Sequence, residues 1–212
     1  MHAIITDGSI SKYINHPKPL VIGDVRYPAR IFSVWTANEL AAIGIIEVTF
    51  DDSKKKDEQW YINTNQTYTY DADAGTVTAT YGDATAKAHA DTTWSQQDSD
   101  DGDLPSDKSV GDVKVEGLKT KLIRTLKSQV ANELARTDWY ITRNTEKSTA
   151  IPSAISTHRD AVRTKQASME TAITNASDTP ALETLYTYVN TADEGDPKVF
   201  ERPLGEFPEL GS

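Results

Sequence analysis

The stretch Val115-Glu116-Gly117-Leu118-Lys119-Thr120-Lys121-Leu122-Ile123-Arg124-Thr125-Leu126-Lys127-Ser128-Gln129-Val130-Ala131-Asn132-Glu133-Leu134 decides the fold class. Val115, Leu118, Leu122, Leu126, Val130 and Leu134 recur three or four residues apart and form one apolar stripe, with Lys119, Lys121, Arg124 and Lys127 around it. The spacing predicts a helix of at least about five turns. After Pro152, Ile155, Val162, Met169 and Ile173 recur at seven- and four-residue steps, which predicts a second helix. Asp178-Thr179-Pro180 starts a short third helix through Leu182, Leu185 and Val189. Residues 114–190 are therefore expected to form a helical hairpin plus a short helix. So narrow a stripe also suits a coiled-coil seam between chains.

Toward the N-terminus the period changes. Residues 1–90 read as a small β-rich domain, with short runs such as Ala3-Ile4-Ile5, Leu20-Val21-Ile22 and Ile45-Ile46-Glu47-Val48-Thr49-Phe50 between turn residues. Tyr68-Thr69-Tyr70 and Val77-Thr78-Ala79 flank Asp71-Ala72-Asp73-Ala74-Gly75, the pattern of a hairpin with a Gly-containing loop. One helix interrupts this region: Thr36 caps Ala37 through Ile43, and Gly44 stops it. Trp35, just before that helix, is expected to close the domain. Its replacement by Ala should unfold the domain, seen as loss of that domain's chemical-shift dispersion.

Residues 91–113 change composition to Asp, Ser, Gly and Gln, including Asp98-Ser99-Asp100-Asp101-Gly102-Asp103. With almost nothing to bury, this stretch is expected to be an acidic linker or arm that need not order in the free protein. Residues 191–212 are expected to form an extended tail, because Pro197, Pro203 and Pro208 block regular helix while Phe200, Leu204, Phe207 and Leu210 want burial. Such a tail drapes over its own domain or over a neighbouring subunit. The expected fold class is thus α+β, with a small β-rich domain, an acidic linker, a helical domain and a tail.

The 212 residues suffice for one large domain or two small ones. The absence of Cys removes disulfides, thiolate metal sites and Cys nucleophiles. A net charge of −10 argues against a general nucleic-acid binder and for protein partners. No apolar run approaches the ~20 residues that span a bilayer, and the first residues lack signal-peptide order, so neither membrane insertion nor export is expected.

Candidate chemistry is sparse. Counted from Asp98 as a calcium loop, Gly102 is fifth and the twelfth position is Ser109, so both the Gly and the bidentate Glu are missing. His2, His16, His89 and His158 show no helical pair spacing for zinc. His158 has no nucleophile-elbow Ser to serve as base, and polar contact with the first long helix is the favoured role. Neither phosphate-binding Gly-rich motif occurs. Asp71 and Asp73 fit a hairpin tip better than a glycosidase pair. No catalytic, cofactor or metal site is expected.

Thr137-Asp138-Trp139-Tyr140-Ile141-Thr142-Arg143, then Ala150-Ile151-Pro152, then His158-Arg159-Asp160-Ala161-Val162-Arg163 remain. Together they resemble a C-terminal pattern of tail-fibre and tail-assembly proteins of tailed bacteriophages, L-x-x-T-D-W-x-x-x-R, then I-P, then Y-R-x-x-V/L-R. His158 stands where that pattern usually carries an aromatic residue. The opening is similar to the same group: Ile5-Thr6-Asp7-Gly8-Ser9-Ile10, then Val25-Arg26-Tyr27-Pro28-Ala29-Arg30-Ile31-Phe32, then Trp35-Thr36-Ala37-Asn38-Glu39-Leu40-Ala41-Ala42-Ile43-Gly44-Ile45. The two blocks stand in the same order as in that group.

The resemblance implies a non-enzymatic structural component of a tailed-phage virion, made in the host cytoplasm and placed in the tail, neck or fibre-attachment region. Its partners would be other phage tail, neck or fibre proteins, with a homo-oligomer or symmetric assembly expected and no nucleic acid or membrane contact. The same resemblance also covers a tail-fibre assembly chaperone absent from the mature particle. The acidic arm favours the structural part, since an arm that orders on assembly can wrap a neighbour.

The candidate partner-binding residues are Trp139, Tyr140, Arg143, Arg159, Arg163, Phe200, Leu204, Phe207 and Leu210. For Trp139 and Tyr140 the favoured alternative is core packing that closes a helical bundle. Arg143, Arg159 and Arg163 are candidates to pair with Asp138, Asp160 and Glu146.

Overall fold

Alternating apolar residues build the sheet of the first unit, and a helical stripe builds the second; the fold is α+β. The computed structural model describes residues 1–211, leaving the last residue of the expected tail, Ser212, outside the described residues. The chain divides after Thr85 into two compact units.

The first unit runs β1 (His2–Thr6), β2 (Ser9–Ile14), β3 (Leu20–Ile22), β4 (Val25–Tyr27), α1 (Ile31–Val34), α2 (Ala37–Ala42), β5 (Ile45–Asp51), β6 (Tyr61–Ile62), β7 (Thr67–Asp71) and β8 (Thr76–Thr80), with β9 (Thr85–Ala86) at the boundary. Its main sheet has the order β2-β1-β5-β8-β7, parallel between β5 and β8 and antiparallel elsewhere. Asp7 and Gly8 turn β1 into β2 with φ of 51° and 72°, the paired positive values a two-residue hairpin turn demands. The β7–β8 hairpin has the expected Gly75 loop, where the Asp71 carboxylate accepts the amides of Asp73 and Ala74.

Ala3, Val48, Val77 and Ala79 are buried together, with Met1, Ile46, Tyr68 and Tyr70 packed against them. A second cluster joins Ile31, Leu40 and Ile45 to Leu20, Tyr27 and Trp35. Trp35 is half-buried there, edge-on to Tyr27 at 5.8 Å.

Thr36 caps α2 in a reciprocal box, its hydroxyl accepting the Glu39 amide while the Glu39 carboxylate accepts the Thr36 amide. Gly44 ends it at φ 76°, and a Cβ there would lie 2.7 Å from the Ile5 carbonyl oxygen. Gly44 thus supplies both the helix stop and the close approach to β1. One helix was expected in this region, and two occur. The additional one, α1, is a single turn anchored by buried Ile31, too short to show a helical period in the sequence.

The second unit runs β10 (Thr92–Thr93), α3 (Gln96–Asp100), β11 (Val113–Val115), α4 (Leu118–Ala135), α5 (Asp138–Lys147), α6 (Ser153–Asn175), α7 (Thr179–Tyr186), β12 (Val189–Asn190) and β13 (Phe200–Glu201). Here the expected acidic linker is corrected, because residues 91–113 belong to a folded unit. Strands β10 and β11 pair, Ser95 and Asp98 form a capping box on α3, and Lys114 stands 4.3 Å over the Trp94 ring while pairing with Asp98. The Asp91 carboxylate accepts the Gly117 amide at 2.7 Å and the Thr120 hydroxyl at 2.8 Å. The first amides of α4, those of Leu118 and Lys119, donate to the carbonyls of Ala88 and His89. Carboxylate-to-backbone bonds hold this stretch where apolar burial does not.

Helix α4 starts at Leu118, so Val115 leaves the stripe and sits exposed on β11. It lies antiparallel to α6, with the Lys119 ammonium reaching the Thr174 carbonyl at one end and the Arg159 guanidinium reaching the Leu134 carbonyl at the other. Leu118, Leu126 and Val130 are buried on α4, and Ile155, Val162, Met169 and Ile173 on α6, the four positions expected. Asp178 caps α7 and Pro180 opens it, but the helix ends at Tyr186 and Val189 is exposed on β12. The expected hairpin plus one helix becomes four helices, because the chain breaks after Ala135 and starts α5 on its own.

Asp91 and Asp98 are both held below the ordinary Asp value of 3.8, Asp91 chiefly by the Gly117 amide and Asp98 chiefly by Lys114. A depressed carboxyl contributes stability that is complete above its unfolded value and lost as the pH falls through the folded one. Acidification from about pH 5 to about pH 2 should therefore lower the amide protection factors, that is exchange relative to the intrinsic rate at each pH, in residues 91–117 before the α4–α6 pair loosens. Uniform exchange across the unit over that range would contradict this assignment.

Candidate functional site

The resemblance-bearing residues meet at the break between α4 and α5. Thr137 opens α5 with φ −120°, a position where a Thr hydroxyl ordinarily caps the third helical amide. Its hydroxyl is diverted instead: it donates to the Leu134 carbonyl at 3.0 Å and accepts from Arg159 Nη1 at 2.7 Å. The same Nη1 donates to the Leu134 carbonyl and to Asp138 Oδ1, each at 2.8 Å. One nitrogen with two hydrogens thus serves three acceptors from the end of α4 and the start of α5. Thr137 is 1% exposed and Arg159 8% exposed, so their bond is shielded from water, while the Asp138 side chain at 59% lies on the exposed edge of the joint.

His158 neighbours the joint on α6. It is buried, with Nε2 3.3 Å from Glu133 Oε1 on α4, the polar contact between helices that the sequence favoured. That contact is out of line for a hydrogen bond, and neither ring nitrogen has a hydrogen-bond partner among the described residues. Glu133 also pairs with Arg136, whose Nη1 donates to both carboxylate oxygens at 2.8 and 3.0 Å.

From this root α5 projects with no buried residue. Trp139 is 52% exposed and stacks on half-buried Tyr140 with ring centroids 3.8 Å apart, while the Arg143 guanidinium lies 5.7 Å from the Trp139 centroid. The core packing expected of this pair is corrected for Trp139, which stands half-exposed outside the core. The α4 stripe does not continue into α5, so the aromatic residues that follow it in sequence do not follow it in space. Trp139, Thr142, Arg143, Glu146 and Lys147 line an open hollow of about 320 Å³. Ser148 in the left-handed region (φ 51°) ends the helix, and Asn144 holds the turn through the Thr149 carbonyl.

The other candidate residues lie apart from this face. Arg163 makes an exposed ion pair with Asp160 one turn back on α6. In the tail, Leu204 is 5% exposed and its amide donates to the Leu185 carbonyl, so it belongs to the chain's own core and not to a free docking surface. Phe207 and Leu210 are partly buried, whereas Phe200 is 59% exposed.

Sequence reasoning missed the structural part of Thr137 and the exposure of Tyr188, Val189 and Val199 around the β12–β13 hairpin. The hairpin had a signal: two short apolar pairs, Tyr188-Val189 and Val199-Phe200, flank turn-forming Asp193, Gly195 and Pro197.

No family model matches this chain, and neither a curated protein nor a solved structure matches it. Among the described residues no cluster of His, Asp or Glu has the arrangement of a metal site, and no helix is long and apolar enough to cross a membrane.

Arg159→Met should lower the stability of the second unit by about 1.5–3 kcal/mol, since it removes the charged donor shared by the Leu134 carbonyl, the buried Thr137 hydroxyl and Asp138. Thr137→Val should cost about 1–2 kcal/mol, while Arg163→Ala, which removes only an exposed intrahelical pair, should leave the melting temperature unchanged. Calorimetric unfolding of the three variants checks this order; equal effects at Arg159 and Arg163 would refute the joint.

Proposed function

We propose that this chain is a non-enzymatic structural component of a tailed-phage particle, placed in the tail, neck or fibre-attachment region and working by docking on other phage proteins. The observation that carries the proposal is the convergence of the motif residues. Thr137 and Asp138 bind Arg159, and the helix they start carries a half-exposed Trp139 beside Arg143. Trp and Arg are among the residue types enriched at the hot spots of protein interfaces. A ten-residue helix that buries none of its side chains gains little from its own unit. The resemblance then supplies the kind of partner: a neighbouring tail, neck or fibre protein.

The acidic segment is folded, so it no longer favours a permanent component over an assembly chaperone. Peptide mass spectrometry on density-purified particles of the phage that encodes the chain separates the two. A copy number in simple ratio to the major capsid protein is the expected result. Absence from particles, with the protein abundant in the lysate, would sink the structural role and leave the chaperone.

A further inference from the structure

The second unit carries two exposed surfaces of opposite charge. One is the β12–β13 hairpin. Its register pairs Val189 with Glu201 and Asn190 with Phe200, so Tyr188 and Phe200 share one face while Val189 and Val199 share the other. All four are about half exposed, at 52%, 59%, 50% and 48% in that order. A two-stranded hairpin is marginal alone and is stabilised by a third strand or a covering surface. The segment 188–201 is also acidic, with Asp193, Glu194, Asp196 and Glu201 against Lys198.

The other surface lies on α4, on the side turned away from Leu126 and Val130. Thr120, Arg124 and Ser128 form one ridge, Ile123, Lys127 and Ala131 the next, and the groove they line together with Glu116 has a volume of about 540 Å³. Three lysines and one arginine against one glutamate make α4 basic in a chain whose net charge is −10. Apolar Ile123 and Ala131 in its lining suit a Phe or Val side chain; Arg124 is held by Glu116, so Lys127 in the lining and Lys121 on the adjoining surface of α4 are the cations that suit carboxylates.

We propose that the occupant of the α4 groove is the β12–β13 hairpin of a second copy of this chain. Phe200 enters between the two ridges, and Asp193, Glu194 and Asp196 meet Lys121 and Lys127. Because donor and acceptor surfaces differ, the contact is head-to-tail, and it closes as a reciprocal dimer or as a ring according to the rotation between copies. This deepens the docking role proposed above by naming one partner. It is tested on the isolated protein, so a chain missing from phage particles would still self-associate if the inference holds.

The test is sedimentation of the full chain over a concentration series at low and high salt. Wild type is expected to self-associate, with the apparent mass falling as salt screens the charges. Two charge-reversed variants, Lys121→Glu/Lys127→Glu and Asp193→Lys/Glu194→Lys/Asp196→Lys, are each expected to stay monomeric with wild-type melting temperature. Mixed one to one, they regain oppositely charged surfaces and should reassociate. Phe200→Ser, which leaves the charges untouched, should also be monomeric. A wild-type chain that stays monomeric overturns the inference, including one that instead retards nucleic acid through α4. So does association that persists in both reversed variants, or a mixture of them that fails to associate.

Discussion

The guanidinium of Arg159 is the constraint on which the second unit's arrangement depends. A long helix that stops at Ala135 leaves its last carbonyls without partners, and the chain must then turn before α5 can begin. Nη1 of Arg159 meets both needs at once, accepting none and donating to the Leu134 carbonyl on one side of the break and to Thr137 and Asp138 on the other. Arg suits this position because it stays charged when buried and holds its donors in a rigid plane. The remaining contacts of the α4–α6 pair are apolar and non-directional, so they fix distance more than they fix where α5 points.

The consequence for function is that α5 is a presented element. Its root is buried and polar, its body is exposed, and its one large aromatic pair lies outside the core. Such an arrangement separates the part of the sequence that builds from the part that meets a partner: Leu126, Val130, Val162 and Ile173 build, while Trp139 and Arg143 remain on the surface. The same separation recurs in the tail, where Leu204 is sealed beneath α7 and Phe200 stands clear on its hairpin.

Much of this was legible in the sequence where a local period or a cap states itself. Thr36-x-x-Glu39 with Gly44 marks α2 because the capping box and the left-handed stop are local chemistry. Ile155, Val162, Met169 and Ile173 mark α6 because a core stripe is periodic. What was not legible depends on distant partners. Residues 91–113 look like a linker by composition, yet Asp91 binds Gly117 and Asp98 binds Lys114, contacts no window of sequence contains. Trp139 looks like the end of a stripe, and only the Thr137–Arg159 bond, 22 residues apart, shows that the helix axis has changed.

The most direct test of the account is amide hydrogen exchange measured on wild type and on Arg159→Met. If the buried guanidinium holds α5 in place, the variant should lose protection in residues 139–147 while the α6 segment around Val162–Ile173 keeps its own. Protection of α5 that is unchanged, or lost in step with α6, would contradict it, and Arg159 would then be a general support of the helical pair and not the joint that presents Trp139.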